Sequence, residues 1–248
     1  MEELNLFIGT YKDFVPFVFN EAYKVIYGNH ELKQNDKYIK CASDEKLDDK
    51  FYSELYMLKN LPKDLISKKY IGFCHYRKYF EFMDNIPDLD DVFSKSEIIA
   101  AKPIRFKKTV REQYASCHNI EDLYILSGII GEMYPSYINA WNDFLDGHLM
   151  FPYNMFIMKS DEFKEYIKFV KSILNKYVEI IGTDIYQRIE NNKEKYLKDF
   201  SPNNTVEYQY RIGGYLAERL TTVFALTKFK KIATCGITIT EQKYNKNE

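Results

Sequence analysis

Cysteine is scarce in this chain. Four residues, Cys41, Cys74, Cys117 and Cys235, lie far apart with no C-x-x-C pair. That spacing excludes a zinc knuckle and a dithiol redox motif, and it suits reduced, buried thiols in a cytosolic protein. Tryptophan occurs once, and 10 glycines and 7 prolines form no linker-like tract, so one domain over residues 1–248 is the simplest account. No apolar run approaches the roughly 18 residues needed to span a bilayer. The start, MEELNLFIGT, carries acidic residues where a signal peptide would have basic ones, so none is expected. A formal net charge of −1 supplies no overall basic field, and nucleic acid is not expected as a partner. Nothing matches a P-loop, a G-x-S-x-G elbow or a zincin helix.

Aromatic residues are abundant instead, with 22 Tyr and 18 Phe. Tyrosines in such number suit walls that stack on planar or sugar rings, and they also fill cores. The 248 residues are enough for a substantial core. Segments 4–10, 70–74, 97–101 and 152–159 read as strands, 25–28 and 37–40 are candidates for short strands, and 231–240 reads as a terminal strand or tail. Between them, 47–60 reads as one amphipathic helix with Leu47, Phe51, Leu55 and Leu58 on a face. The stretch 121–145 reads as two helices broken near Pro135, and 102–111 as a basic loop. A long helix capped by Ser160 runs to about Ile181, with Asp161 and Glu162 favoured in its first turn. Residues 184–204 read as polar loop or helix, and 207–227 as a second long helix. Strands alternating with helices predict an α/β fold.

The central stretch is 70–80, YIGFCHYRKYF, where a buried strand turns abruptly into His75, Tyr76 and Arg77. In open α/β sheets ligands bind beyond the carboxyl ends of strands. Arg offers a fork suited to phosphate, and His exchanges a proton near neutral pH. Other polar clusters are Thr10-Tyr11-Lys12, Gln113-Tyr114 with His118, and Tyr153-Asn154. In the 207–227 helix Arg211, Tyr215 and Glu218 share one face by their spacing. Gly213-Gly214 beside them costs about 1 kcal/mol per Gly against Ala and points to close backbone approach. An ion-pair network of Arg211, Glu218 and Arg219 is the alternative for that face. Asp88-Leu89-Asp90 spells a D-x-D, but in an acidic turn after Pro87 rather than at a strand end, so no metal ligands are assigned.

Read together, YIGFCHYRKYF, Arg111-Glu112-Gln113-Tyr114 with His118, PYNMFIMKSDEFKEY and 211–220, RIGGYLAERL, resemble the small bacterial glycosyltransferases of capsular and exopolysaccharide biosynthesis. The pattern of that family includes G-x-x-HYRR-Y-F, N-M-F-I-M and G-Y-L-A-E-R-L, and the likeness runs from FIGTYK to the AERL helix. Lys78 departs from it, standing where a second Arg is usual and losing a bidentate fork. The resemblance implies a GT-A-like, Rossmann-like α/β domain with a mostly parallel central sheet and a helical C-terminal part. Residues 1–110 would bind the nucleotide-sugar and 111–248 the acceptor. It further implies a cytoplasmic enzyme, with room for peripheral contact at the inner face of a membrane. The enzyme would move a sugar from a UDP donor, UDP-galactofuranose being one option, to a glycan or lipid-linked acceptor. Donor contacts would come from Thr10, Tyr11, Lys12, His75, Tyr76, Arg77, Asn154 and Arg211. Glu218 is the first candidate for the base and His118 the second. A divalent metal is compatible with the chemistry but not predicted. A hydrolase or lyase of sugar nucleotides, or a non-catalytic glycan-binding module, would use the same residue types.

Overall fold

The computed structural model describes residues 3–29, 32, 37–198 and 204–240. Strands β1 (Leu4–Thr10), β2 (Tyr23–Tyr27) and β3 (Ile39–Lys40) are followed by the short helices α1 (Asp49–Tyr52) and α2 (Glu54–Lys59). Then come β4 (Tyr70–His75), β5 (Lys78–Phe80), α3 (Leu89–Lys95), β6 (Ile98–Ala101), β7 (Ile104–Arg105) and α4 (Val110–Cys117). Helices α5 (Glu121–Met133) and α6 (Ile138–Asp146) precede β8 (Leu149–Met150), β9 (Phe156–Lys159) and the long α7 (Ser160–Ile181). The chain closes through α8 (Ile185–Asn191), α9 (Lys193–Tyr196), α10 (Val206–Gln209), α11 (Ile212–Lys228), β10 (Ile232–Cys235) and β11 (Ile237–Ile239).

The main sheet runs in the order β10-β6-β9-β4-β1-β2-β3. Strands β3, β2, β1 and β4 are parallel neighbours, as are β6 and β10, while β9 runs antiparallel to both β4 and β6. The sheet is therefore mixed: a parallel frame in which β9 runs reversed between β6 and β4, and the short β5, itself paired with β11, runs reversed beside the end of β4. β1 and β4 are apolar and buried on both sides, as strands covered on two faces must be. One face carries Leu6, Ile8, Tyr70, Cys74 and Ile157 against Phe14, Val18 and Phe93. The other carries Phe7, Phe73 and Phe156 against α2, α7 and α11. Full burial of twelve large side chains, Trp141 and six tyrosines among them, shows that much of the aromatic surplus is core.

Four sequence expectations need correction. The helix at 47–60 is broken in two at Ser53, a non-glycine residue at φ 54°, and 51–59 are buried all round rather than on one stripe. The helix at 207–227 is likewise split, α10 ending at Gln209 and α11 starting at Ile212. Ser160 does not cap α7; it is the first helical residue, and its hydroxyl donates to the Ile66 carbonyl. The basic loop at 102–111 pairs β7 with β8 and enters α4 through a capping box of Thr109 and Glu112. The break near Pro135 is present, and the 184–198 part of the polar stretch is mainly helical; 199–203 lie outside the described residues.

Candidate active site

The reversal of β9 decides where chemistry can gather. Because Phe156 at its start pairs with Phe73 near the end of β4, the turn entering β9 lies at the edge where β4 ends. Pro152, Tyr153 and Asn154 are thereby brought beside His75. Tyr153 and Asn154 both adopt left-handed backbone, φ 67° and 52°, a strained pair for two non-glycine residues. Hydrogen bonds hold the turn on every side. The Tyr153 N–H donates to Glu218 Oε1 at 3.0 Å, and its carbonyl accepts from His75 Nε2 at 2.6 Å. Asn154 Nδ2 donates to Glu54 Oε1 at 2.8 Å, and its Oδ1 accepts from Thr221 Oγ1 at 2.6 Å.

A second convergence comes from α11. A Cβ on Gly213 would lie 2.7 Å from the Phe51 ring, and one on Gly214 2.6 Å from Ser53 Cβ, so the paired glycines let α11 touch the α1–α2 break. Arg211, just before α11, donates to Ser53 Oγ at 2.6 Å, and Tyr11 donates its hydroxyl to the same oxygen at 3.1 Å.

Between these elements lies a cavity of about 340 Å³ at the carboxyl ends of β1 and β4. Its walls include Tyr11, Glu54, His75, Tyr76, Arg77, Lys78, Arg211, Glu218 and Arg219 on the polar side. Phe106, Met150, Pro152, Tyr208 and Tyr215 contribute to it, as does His118. Four Lys or Arg side chains face two carboxylates, which makes the cavity suited to an anion. Arg77 lies exposed 5.0 Å over the Tyr76 ring, and Lys78 lies 4.2 Å over that of Tyr153. Burial, with Arg77 nearby, pushes the Lys78 ammonium below its ordinary range.

The two carboxylates are tuned in opposite directions. Burial pushes the Glu218 carboxyl up despite Arg219 at 3.4 Å, with Glu54 adding to the rise. Burial would raise Glu54 as well, but the Arg211 guanidinium and the hydrogen bonds its ionised form accepts, that of Asn154 among them, hold it below the usual carboxylate range. Burial also lowers His75, and with Lys78 and Arg211 nearby its imidazole is neutral at neutral pH.

The residues singled out in the sequence divide. Tyr11, His75, Tyr76, Arg77, Arg211, His118 and Glu218 all line this one cavity. Thr10 does not: it is fully buried, and its hydroxyl closes a turn with the Lys12 carbonyl at 2.6 Å. Lys12 and Asn154 are not in the lining either. Lys12 lies 5.7 Å over the Tyr76 ring, and Asn154 is buried behind the turn. His118 is no surface histidine. It is buried, stacked on Tyr215 at 4.2 Å and bonded through Nδ1 to Gln209, and burial lowers it to about 3. Sequence reading missed Glu54 and Ser53. The signal for Glu54 was its place three residues after Phe51, inside the apolar stripe of its helix, where a carboxylate has no reason to sit unless it is paired.

Asp88 and Asp90 do not fit a metal at this site. Asp88 caps α3, and Asp90 accepts from Lys69 and Tyr70 at the start of β4, the opposite edge of the sheet from His75. Among the described residues no group of three His, Cys, Asp or Glu is placed to share a metal. No helix among them is long and apolar enough to cross a membrane.

An α/β domain with a cation-rich cavity beyond its strand ends is the class this geometry defines. The family described as "Domain of unknown function (DUF4422)" matches residues 6–229, and the chain belongs to it. No curated protein matches the chain. Among solved structures it shares its fold with the apo structure of WbbM, a bifunctional glycosyltransferase, at a TM-score of 0.66 and 17% identity. The match covers 97% of this chain and 46% of that one, so the chain spans about half the length of its structural neighbour.

Proposed function

We propose that this domain is a glycosyltransferase that takes a sugar from a nucleotide-sugar donor to a glycan or lipid-linked acceptor. The observation that carries the reading is one cavity at the strand ends that combines guanidinium and ammonium groups with two oppositely tuned carboxylates. The fold shared with a glycosyltransferase and the motif resemblance support it. A UDP-sugar is the donor, UDP-galactofuranose the first to try, and the polymer is a bacterial surface polysaccharide assembled at the inner face of the membrane. The whole chain acts as one unit, with 1–110 on the donor side and 111–248 on the acceptor side.

In this reading the acceptor hydroxyl attacks the anomeric carbon while the bond from that carbon to the diphosphate oxygen breaks. Negative charge grows on the leaving diphosphate, and Arg77, Lys78 and Arg211 stabilise it from fixed positions. Glu218 takes the acceptor proton. Its Oε1 is oriented by the Tyr153 N–H, and its raised pKa brings it toward the operating pH of a general base. His118, with its basicity pushed down to about 3 and its ring pinned by Gln209 and Tyr215, is a wall of the cavity rather than the base.

The test is a thermal-shift panel of nucleotides and UDP-sugars, followed by product analysis with the donor that binds. A ligand that binds only the folded chain must raise its melting temperature. Sugar joined to an acceptor is the expected product. Free sugar alone would make the protein a hydrolase, and no shift with any nucleotide would overturn the reading.

A further inference from the structure

His75 carries an observation that donor binding in general does not explain. Its Nε2 lies 2.6 Å from the Tyr153 carbonyl oxygen, which can only accept, so the proton sits on Nε2. In the neutral ring Nδ1 then bears a lone pair. That nitrogen has no protein partner among the described residues and is not among the enclosed unpartnered atoms, while the side chain is 12% exposed and the ring lines the cavity. An open acceptor in a cavity otherwise rich in donors is poorly matched to a phosphate, whose oxygens also accept. It matches a hydroxyl.

We propose that the Tyr153 carbonyl locks His75 as the Nε2–H tautomer, so that Nδ1 accepts a hydrogen bond from a hydroxyl of the donor's sugar ring. The inference rests on the transferase reading above and sharpens it: His75 selects the sugar, and the diphosphate is left to Arg77, Lys78 and Arg211. The lock is built into the backbone. The Tyr153 carbonyl is aimed by a left-handed turn whose N–H is held by Glu218 and whose next side chain is held by Glu54 and Thr221. The charged groups around the ring are Glu54, 4.0 Å from Nε2, and the cations Lys78 and Arg211. The two cations and burial oppose a second proton on the ring, and Glu54 favours it. An imidazolium would turn Nδ1 into a donor and abolish the match. A site whose buried polar group is left unpaired rejects an analogue lacking the hydroxyl by far more than one lacking a methylene, up to about 10⁴-fold where the pairing is fully enclosed.

Two measurements decide it. Ring ¹⁵N shifts of the wild-type protein at pH 7 report the tautomer directly. The expected result is a protonated Nε2 and an unprotonated Nδ1 for His75. An Nδ1–H ring or an imidazolium would overturn the proposal whether or not any donor binds. The second is a binding cycle of the best UDP-sugar and its singly deoxygenated analogues against wild type and His75→Phe, with His75→Asn as a smaller alternative should the phenyl ring unfold the chain. One hydroxyl is expected to matter at least tenfold in wild type and not at all in the variant. If donors bind but no hydroxyl is coupled to His75, the transferase reading stands and the assignment falls. If no UDP-sugar shifts the wild-type protein, the transferase reading fails and takes the hydroxyl partner with it.

Discussion

Glu54 and Glu218 approach the same turn from different helices, and the difference in their partners sets their proposed roles. Glu54 accepts from Asn154, with Tyr11 at 3.4 Å and Arg211 nearby, and stays ionised as a holder of the site. Glu218 has the Tyr153 amide on one oxygen and only a 3.4 Å guanidinium contact on the other. Glu218→Gln keeps the shape and an oxygen for the Tyr153 amide but cannot take a proton. We expect the variant to fold, to bind donor within a few fold of wild type and to lose 10²- to 10⁴-fold in transfer rate, the usual contribution of a positioned base. Normal transfer by that variant would make Glu218 structural. Arg77→Ala, at an exposed side chain, should leave the melting temperature within about a degree or two and weaken donor binding or slow transfer at least tenfold. Unchanged kinetics would remove Arg77 from the site. His75, Tyr76, Arg77, Arg211 and Glu218 were legible in the sequence because they punctuate apolar runs or share a helical face. Glu54 was not, since a single carboxylate inside a helical stripe reads as a stripe. Thr10 misled because a small hydroxyl at a strand end suits a ligand loop and a local turn equally well.

At the scale of elements the site depends on two helix breaks and one reversed strand. The α1–α2 break at Ser53 offers Oγ to Arg211 and Tyr11, and the start of α11 reaches it only because residues 213 and 214 lack side chains. Gly214→Ala should therefore destabilise the chain by about 1–3 kcal/mol through overpacking, although alanine favours a helix interior by about 1 kcal/mol over glycine. Chemical denaturation checks the sign, and a variant as stable as wild type would show that the contact yields easily. At the other edge of the sheet, Asp88 caps α3 through the N–H groups of Asp90 and Asp91. Asp88→Ala should cost about 1 kcal/mol of stability and leave transfer intact, and Asp90→Ala should leave transfer intact too. Activity lost with Asp90→Ala and with a chelator, and restored by manganese, would contradict this. β1 matches its sequence reading because its seven positions are all buried and apolar apart from Asn5 and Thr10. Both helix breaks escaped because Tyr52-Ser53-Glu54 and Tyr210-Arg211-Ile212 contain no proline, and tertiary contacts rather than local propensity make them. The direction of β9 was equally hidden: FIMK reads the same in a parallel or an antiparallel ladder, and only pairing on both sides reveals it.

For the molecule as a whole, two buried titratable groups tie folding to pH in opposite senses. Burial, with Arg219 nearby, lowers His118 from an ordinary 6.5 to about 3. A depressed folded-state value means that the unfolded chain binds the proton first. The stability that neutral His118 represents is therefore complete above about pH 6.5 and is lost as pH falls toward 3. Asp122 is the opposite case. It is enclosed and accepts from Tyr114 at 3.1 Å and Tyr177 at 2.6 Å, yet burial raises it from 3.8 to about 6. Its contribution is complete below about pH 4 and is lost as pH rises to 6. Between pH 4 and 6 the two slopes have the same size, about 1.4 kcal/mol per pH unit, and opposite sign, so they cancel in wild type. The groups are linked in space, since the Tyr114 ring lies 4.7 Å from His118 and its hydroxyl bonds Asp122. Removing one partner exposes the other. His118→Gln should lose stability relative to wild type at pH 7, and that deficit should shrink by about 1.4 kcal/mol for each pH unit between 6 and 4. Urea titrations of both proteins at four pH values measure this double difference. A deficit that stays constant across the window would mean that His118 titrates normally in the fold and is not enclosed behind Tyr215.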